Sequence, residues 1–484
     1  MSSTVTGQLE GLFHPRSIAV MGASTNPASA GYRYVIQLKN YGFKGAIYPI
    51  NPKYPEILGL KAYPSIKDVP GSIDYVISCL GANMVPELLA QCPEKQVKMV
   101  HLFTGRFSET GNEDAARLEK SILQQVKTVG VRMLGPNCMG LYYPKEGIAF
   151  NYDCPKEPGP VGFLSQSGGG AGDFVFYASL RGIRFSKLIS YGNALDLNES
   201  DFLEYFAQDS ETQIIAAYIE GVKDGQRFLT ALRQAARSKP VVIVKAGRSG
   251  AGRKQAFSHT SALAGSNTTW EAAIKQTGAI QVRDFQEMMD VVLAFSFLPP
   301  VRGNRVGVVG GGGGASVLSA DEWEEAGFNL PPLPPEIEAE IKEKLPPLWL
   351  GWMRNPLDSS IFPEEARAIN FYGRVVNALA KNPQFDVVIA NVHIGGPASA
   401  AEMGITLANQ TKDLIEASKI KPVVVIQFSE ALGTGDVNSP RWKPLTEMRT
   451  SLVAAKIPAY PSIIDAARAL KHLIDYYQRK ESID

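Results

Sequence analysis

Short apolar runs rich in β-branched residues alternate along the chain with longer stretches of helical periodicity. This alternation is typical of a parallel sheet whose strands are buried and whose two faces are covered by helices. In the first third of the chain it predicts five strands, at residues 17–21, 46–50, 75–80, 98–103 and 131–134. Helices are predicted between them at residues 34–41 and 114–127.

The same pattern resumes twice further along the chain. A second series predicts strands at residues 161–164, 188–191, 213–219, 241–245 and 279–282. A third series predicts them at residues 305–309, 385–392, 422–428 and 459–462. Proline- and glycine-rich segments at residues 142–162 and 297–303 separate the series and are interpreted as breaks between domains. We therefore predict an α/β protein with three domains, at residues 1–150, 151–300 and 301–484.

Composition excludes several classes of function. The 484 residues carry 49 Lys and Arg against 48 Asp and Glu, and this balance argues against a broad basic surface for nucleic acid. No apolar run reaches the roughly 18 residues that a membrane helix needs, and the N-terminus lacks a secretory signal. The spacing of the four cysteines fits neither disulfides nor a metal site. We expect a cytoplasmic protein without a metal site or membrane association.

A glycine turn follows the first predicted strand, at Gly22, Ala23, Ser24 and Thr25. Backbone N–H groups in such a turn can approach an anion. The dinucleotide pattern G-x-G-x-x-G is broken at Ser24, and the second strand ends near Lys53 rather than at an acidic residue, which disfavours a nicotinamide cofactor. Two interpretations stay open here: a site for a phosphorylated nucleotide such as coenzyme A, with Lys53 as a point charge, or a plain tight turn.

One of the five histidines, His259, lies in a long loop of small residues after the strand at 241–245. An imidazole flanked by the cations Arg248, Arg253 and Lys254 suits the transfer of an anionic group, although a surface histidine fits the loop as well. His393, at the end of another predicted strand, is a weaker candidate.

Two further segments favour the first interpretation of His259. Ser165, Ser167, Gly168 and Gly169 join a strand to a helix, where free amides and the helix dipole can hold a phosphoryl group. The segment lacks the first glycine of a G-x-S-x-G elbow, so it predicts an oxyanion cradle and not a hydrolase serine. Glu220 ends another strand and is either the residue that orients His259 or an ordinary surface glutamate.

These motifs together resemble the α subunit of the ADP-forming acyl-CoA synthetases and, more distantly, that of succinyl-CoA synthetase. The resemblance covers nearly the whole chain and rests on residues 14–24, 51–53, 134–140, 162–168, 218–221, 258–260, 263–265, 308–312, 320–321 and 355–358. It implies an N-terminal Rossmann-like CoA-binding domain followed by two flavodoxin-like α/β domains. It also implies a set of coenzyme A contacts at Gly22, Ala23, Ser24, Thr25, Lys53, Ser78, Cys79, Leu80, Thr104, Gly105 and Asn137.

The resemblance further implies a mechanism. Orthophosphate attacks the acyl-CoA thioester, and the resulting acyl phosphate passes its phosphoryl group to His259. Glu220 orients the imidazole, while Ser165, Ser167, Gly168 and Gly169 bind the phosphate. ADP, with Mg²⁺, then becomes ATP, and the reverse direction activates a carboxylic acid.

The sequence departs from this family at two places and lacks one expected part. Ser261 replaces a glycine after the His-Thr pair, and residues 103–109 match the family turn only loosely. No ATP-grasp domain is recognisable, so the resemblance predicts a separate ATP-grasp β subunit and an α/β hetero-oligomer. The rival interpretation is a non-catalytic protein of the same fold that binds CoA or acyl-CoA for regulation.

Overall fold

The structure is a computed structural model, and it describes residues 7, 9, 12–252, 254, 267–344, 353–362, 370–392, 399–427 and 442–482. The chain divides into two compact units, Met1–Met288 and Met289–Asp484. Among the described residues, the first unit holds two large sheets and a two-stranded hairpin, and the second holds one sheet. We describe each unit by itself.

The first sheet has five parallel strands in the order β2-β1-β3-β4-β5. They are β1 (Ser17–Met21), β2 (Ala46–Ile50), β3 (Tyr75–Ser78), β4 (Met99–Leu102) and β5 (Arg132–Leu134). Three helices connect them: α1 (Ala30–Tyr41), α2 (Val85–Gln91) and α3 (Glu113–Val129). Ser29 caps the start of α1 and Gly42 its end, in the left-handed conformation that glycine adopts without strain. A short hairpin pairs Glu56–Ile57 with Leu60–Lys61.

The second sheet has six strands in the order β11-β10-β9-β7-β8-β6. They are β6 (Gly140–Tyr142), β7 (Pro158–Ser165), β8 (Phe185–Ser190), β9 (Ile214–Ile219), β10 (Val241–Lys245) and β11 (Ile280–Val282). All pairs are parallel except the edge pair of β8 with β6. The helices are α4 (Gly168–Leu180), α5 (Glu199–Gln208), α6 (Gly225–Ser238), α7 (Asn267–Thr277) and α8 (Phe285–Phe297).

The second unit is built on four parallel strands in the order β12-β13-β14-β15. They are β12 (Val306–Gly310), β13 (Val387–Val392), β14 (Val423–Gln427) and β15 (Ala459–Tyr460). Its described helices are α9 (Gly313–Glu325), α10 (Pro335–Lys344), α11 (Phe371–Lys381), α12 (Ala400–Ser418), α13 (Trp442–Ala454) and α14 (Ile463–Glu481). Its core contains the buried side chains of Val309, Phe371, Val388, Leu414 and Val425.

Every predicted strand is present, with each end within three residues of the prediction. The predicted linker at residues 142–162 is wrong in part, because Tyr142 ends β6 and Pro158 already begins β7. Pro158 and Pro160 precede Val161, where ladder pairing of β7 with both neighbours starts, so their missing N–H groups cost no ladder bond. Strand β6 was not predicted, and it attaches residues 140–142 to the second sheet rather than to the first. The three domain boundaries stay a prediction.

The strand orders decide where ligands can bind. In both sheets of the first unit, the first strand lies between the second and third parallel strands, which is the flavodoxin-like order 2-1-3-4-5. A crevice then opens at the carboxyl ends of β1 and β3, and another at those of β7 and β9. Within the described ranges, no helix is long and apolar enough to cross a membrane.

Candidate active site at two sheet edges

The glycine turn after β1 lies at the first crevice. Gly22 has a φ of 76°, which favours glycine, and its N–H donates to the carbonyl of Ile50 over 3.1 Å. Helix α1 passes so close that a Cβ on Gly31 would lie 2.0 Å from the carbonyl oxygen of Gly22. Gly31 therefore provides the close approach of helix to strand, a role that the sequence analysis did not assign.

The turn offers donors that the protein itself does not use. In the described part of the chain, the N–H groups of Ala23, Ser24 and Thr25 donate to no protein acceptor. Asn51 fixes the turn, since its Nδ2 donates to the carbonyl of Ala23 over 2.7 Å. Its Oδ1 accepts from the N–H of Lys53 over 2.9 Å, and the Lys53 side chain is exposed beside the turn.

The end of β3 forms the other wall of this crevice. Ser78 is buried, and the N–H of Cys79 donates to the carbonyl of Met21 at the end of β1 over 3.0 Å. The hydroxyl of Thr104 donates to the carbonyl of Leu80. Burial raises the pKa of Cys79 to about 12, so its thiol stays protonated and acts as a small apolar contact.

Loops after β4 and β5 bring the first sheet towards the second. Asn137, in the left-handed region at a φ of 58°, donates through its N–H to the carbonyl of Thr104 over 2.9 Å. A Cβ on Gly105 would lie 3.0 Å from the Oδ1 of Asn137. The Nδ2 of Asn137 lies 3.4 Å from the Oδ1 of Asn193, whose own Nδ2 donates to Glu109 over 2.7 Å. Sequence reasoning missed Asn193 and Glu109, because only the fold brings these loops together.

The predicted phosphate cradle lies at the second crevice, where β7 leads into α4. Ser167 is the N-cap of α4, and its Oγ accepts from the N–H of Gly170 over 3.0 Å. The buried hydroxyl of Ser165 donates to the carbonyl of Ser167 over 2.8 Å, which fixes the turn. The N–H groups of Gly168 and Gly169 have no acceptor in the described part of the chain, so they are available to an anion at the positive end of the helix.

Glu220 directly follows β9, the strand adjacent to β7, and it is buried rather than the exposed turn residue that the alternative interpretation expected. The side chain of Tyr218 forms a hydrogen bond with its carboxylate. Burial and, next, the charge of Glu220 raise the pKa of Tyr218 above its ordinary value, so the phenol remains the donor.

Two buried residues that the sequence analysis did not select hold the main chain of Glu220. The Oε1 of Gln166 accepts from the N–H groups of Glu220 and, over 3.0 Å, of Gly221. The ammonium of Lys245 donates to the carbonyl of Glu220 over 2.6 Å. Burial lowers the pKa of Lys245 to about 8, with the Glu220 charge opposing and Arg248 assisting this shift.

His259, Arg253 and the weaker candidate His393 lie outside the described residues. Arg248 and Lys254, which flank His259 in the sequence, are described and exposed. Arg248 donates from its Nη2 to the carbonyl of Arg283 over 2.8 Å, which fixes the residues directly after β10 against the segment before α8.

Comparison with known proteins identifies the domains of the first unit. A CoA binding domain model matches residues 16–144, and a succinyl-CoA ligase like flavodoxin domain model matches residues 158–295. The predicted order of a CoA-binding domain and a flavodoxin-like ligase domain is thereby confirmed.

Several relatives match much of the chain. The ADP-forming acetate–CoA ligase II subunit alpha of Pyrococcus furiosus is 38% identical over 79% of this chain and 82% of that protein. The corresponding I subunit alpha of the same organism is 33% identical over 98% of both. A solved structure of acetyl-coenzyme A synthetase 1 from Ca. Korarchaeum cryptofilum, in complex with phosphate and ADP, covers 98% of both chains with a TM-score of 0.82 and 31% identity.

Other relatives are longer than this chain. The ADP-forming acetate–CoA ligase of Methanocaldococcus jannaschii is 38% identical over 72% of this chain, but the match covers 49% of that protein. The match thus leaves about half of the M. jannaschii protein unaligned, whereas the match to the P. furiosus I subunit alpha covers 98% of that subunit. The chain belongs to the α subunits of the ADP-forming acyl-CoA ligases, the family of the acetate–CoA ligases.

Proposed function

We propose that this subunit carries out the acyl and phosphoryl half of the reversible reaction that interconverts acyl-CoA, phosphate and ADP with a carboxylic acid, CoA and ATP. Coenzyme A binds at the first crevice, against the turn from Gly22 to Thr25 and the ends of β3 and β4. The phosphoryl group is bound at the second crevice, against the start of α4. A cytoplasmic location supplies all of these substrates.

Three transfers complete the reaction. An oxygen of orthophosphate attacks the thioester carbonyl, forming a C–O bond and breaking the C–S bond, so that CoA leaves as a thiolate. A ring nitrogen of His259 then attacks phosphorus; the N–P bond forms, the acyl P–O bond breaks, and the carboxylate is released. Finally, a β-phosphate oxygen of ADP attacks phosphorus, the P–N bond breaks, and ATP forms.

A single observation carries this proposal: the buried carboxylate of Glu220 directly follows β9, the strand next to the one that leads into the open amides of Gly168 and Gly169. Phosphoryl transfer requires positioning and neutralised charge more than covalent chemistry by the protein. Two amides at a helix start supply the neutralisation. A carboxylate that accepts from one ring nitrogen fixes the imidazole tautomer and leaves the other nitrogen nucleophilic.

The first crevice has the chemistry that a phosphorylated nucleotide requires. Unused N–H groups at Ala23, Ser24 and Thr25 and the exposed cation of Lys53 are suited to phosphate oxygens. The protonated thiol of Cys79 and the side chain of Leu80 provide apolar contacts nearby. The broken dinucleotide pattern disfavours a nicotinamide at the same place.

We infer that ADP and its Mg²⁺ bind on an ATP-grasp β subunit, so that the active enzyme is an α/β hetero-oligomer. The naming of the P. furiosus relatives as subunits supports a partner. The additional half of the M. jannaschii relative is consistent with the same function joined in one chain.

Intact-mass spectrometry after incubation of the full chain with acetyl-CoA and inorganic phosphate tests the proposal. We expect an added phosphoryl mass of acid-labile character in the wild type and none in His259→Ala. Other acyl-CoA thioesters are assayed in parallel, because the acyl group is not defined by the residues above. Binding of CoA with no phosphoryl mass for any thioester would contradict the proposal and favour a regulatory CoA-binding protein.

A further inference from the structure

The main chain of Glu220 is held on both sides by polar side chains that are themselves buried. Gln166, Glu220 and Lys245 are 4%, 5% and 4% exposed, so all three are inaccessible to bulk water. They come from the carboxyl ends of three adjacent strands, in the order β7, β9 and β10. A buried polar group is stable only where its hydrogen bonds are made.

Gln166 holds the amide side of Glu220. The side-chain Oε1 of Gln166 accepts from the N–H groups of Glu220 and Gly221. The main-chain N–H of Gln166 donates to the carbonyl of Tyr218 over 3.2 Å. Because both side-chain contacts come from donors, the atom facing them must be the amide oxygen. Gln166 therefore continues the pairing of β7 with β9 beyond the last ladder pair, Ser165 with Tyr218.

Lys245 holds the carbonyl side. Its Nζ donates to the carbonyls of Glu220 and Ala246, and it lies 5.6 Å from the ring centre of Trp270 on α7. Among the described residues, no carboxylate oxygen lies within 4.0 Å of its Nζ, but the charge of Glu220 is close enough to raise its pKa. The ammonium is therefore held by carbonyls at hydrogen-bond distance and by the Glu220 carboxylate at longer range.

We propose that Gln166 and Lys245 are positioning residues that fix the direction of the Glu220 side chain by clamping its peptide groups on both sides. Lys245 is also the last residue of β10, directly before the segment that leads to His259, so the same ammonium fixes the base of that segment. The inference rests on the proposed function, since it assigns these residues to the orientation of the phosphoryl carrier.

The rate of phosphoryl incorporation from acetyl-CoA and inorganic phosphate tests this inference in the full chain. Gln166→Met and Lys245→Met remove one side of the clamp each, and each is expected to slow incorporation about tenfold, because the Glu220 carboxylate is then held less firmly in the direction of the histidine. Lys245→Arg keeps a cationic donor and is expected to recover most of the rate. Gln166→Glu keeps an acceptor oxygen, so it is expected to incorporate the phosphoryl group faster than Gln166→Met does.

A double-mutant cycle with Glu220→Gln separates positioning from general loss of stability. If the clamp acts through the Glu220 carboxylate, Gln166→Met should cause little further slowing once that carboxylate is gone. Independent, multiplicative slowing in the double variant would overturn the inference. Thermal unfolding of each variant identifies the temperature range in which all are folded.

Two buried residues elsewhere in the same unit provide matched controls. Lys187→Met and Gln37→Met remove the same kinds of polar group from two other buried sites. Both residues are 1% exposed, and neither takes part in the contacts to Glu220 described above. Both are expected to incorporate phosphate at the wild-type rate while folded. Equal slowing in these controls would also overturn the inference, whereas a wild type that gains no phosphoryl mass overturns the proposed function itself and the clamp with it.

Discussion

Two buried lysines of the second sheet show how the same side chain can serve different purposes. Lys187, near the start of β8, pairs with Asp209 over 2.9 Å and with Glu211 over 2.8 Å. Its ammonium also lies 4.5 Å from the ring centre of Tyr143. Lys245, at the end of β10, donates only to main-chain carbonyls. Its charge is therefore stabilised by dipoles, whereas that of Lys187 is neutralised by carboxylates.

The difference follows from the two edges of a parallel sheet. Lys187 contacts Asp209 and Glu211 in the segment that precedes β9, at the amino end of that strand. Lys245 lies at the carboxyl edge, where the strand order opens a crevice. Removal of the Lys187 cation would leave buried carboxylates unpaired, whereas the Lys245 cation lies beside Glu220, close to the proposed phosphoryl site.

Lys187→Met is expected to produce the largest effect on stability. It leaves Asp209, whose side chain is 8% exposed, without its cation, and Glu211 keeps only Lys145 and Tyr143. Breaking such a buried pair costs about 3 kcal/mol in the free energy of unfolding. Denaturant unfolding measures it, with Lys145→Met as the exposed comparison. A cost below about 1 kcal/mol would contradict the structural role given to Lys187.

The rate of phosphoryl incorporation should depend on pH through Lys245, the lysine at the carboxyl edge. Burial lowers the pKa of Lys245 to about 8, in the presence of Glu220 after β9, Arg248 after β10 and the neutral Trp270 on α7. Its charge is therefore present at pH 7 and lost above pH 8, so we expect the rate to fall severalfold in that range. Lys245→Arg, which keeps its charge at these pH values, should remove the alkaline decrease. If Lys245→Arg shows the same decrease above pH 8 as the wild type, a group other than Lys245 causes that decrease.

Acid should lower the free energy of unfolding through the ion pairs that Glu211 forms with Lys187 and Lys145. This is the smallest of the three effects predicted here. Burial opposes ionisation of Glu211, but hydrogen bonds from Lys145, Lys187 and Tyr143 outweigh it and lower its pKa to about 2. A carboxyl whose pKa is lowered on folding contributes stability above its unfolded value of about 4.3 and loses it as the pH falls towards 2. Unfolding free energies between pH 5 and pH 2 should therefore decline less in Glu211→Gln than in the wild type. Parallel curves would remove Glu211 from the acid response.

The sequence pattern predicted the strands because each strand is buried on both faces and so reads as an apolar run. It missed β6, since residues 140–142 pair only at an antiparallel edge and form too short a run. It mistook the beginning of β7 for a linker, because prolines usually mark breaks. In β7 they precede the paired residues, where no donor is needed.

Some residues of the candidate site could be predicted from the sequence, and others could not. Ser167, Gly168 and Gly169 follow from a local signal, a strand that runs directly into a glycine-rich helix start. Gln166 and Lys245 carry no such signal, since one lies between two serines and the other ends an ordinary apolar strand. Their importance depends on β7, β9 and β10 being neighbours in the sheet.

The sequence by itself determined the α/β class, the alternation of strands and helices, and the family to which the glycine turns and Glu220 belong. These properties depend on local periodicity and on motifs of a few residues. Only the tertiary structure decided the strand order, and with it which strand ends meet. Because hydrogen bonds of a buried side chain are formed across strands, the contacts that hold Glu220 from both sides appear only once the sheet is assembled.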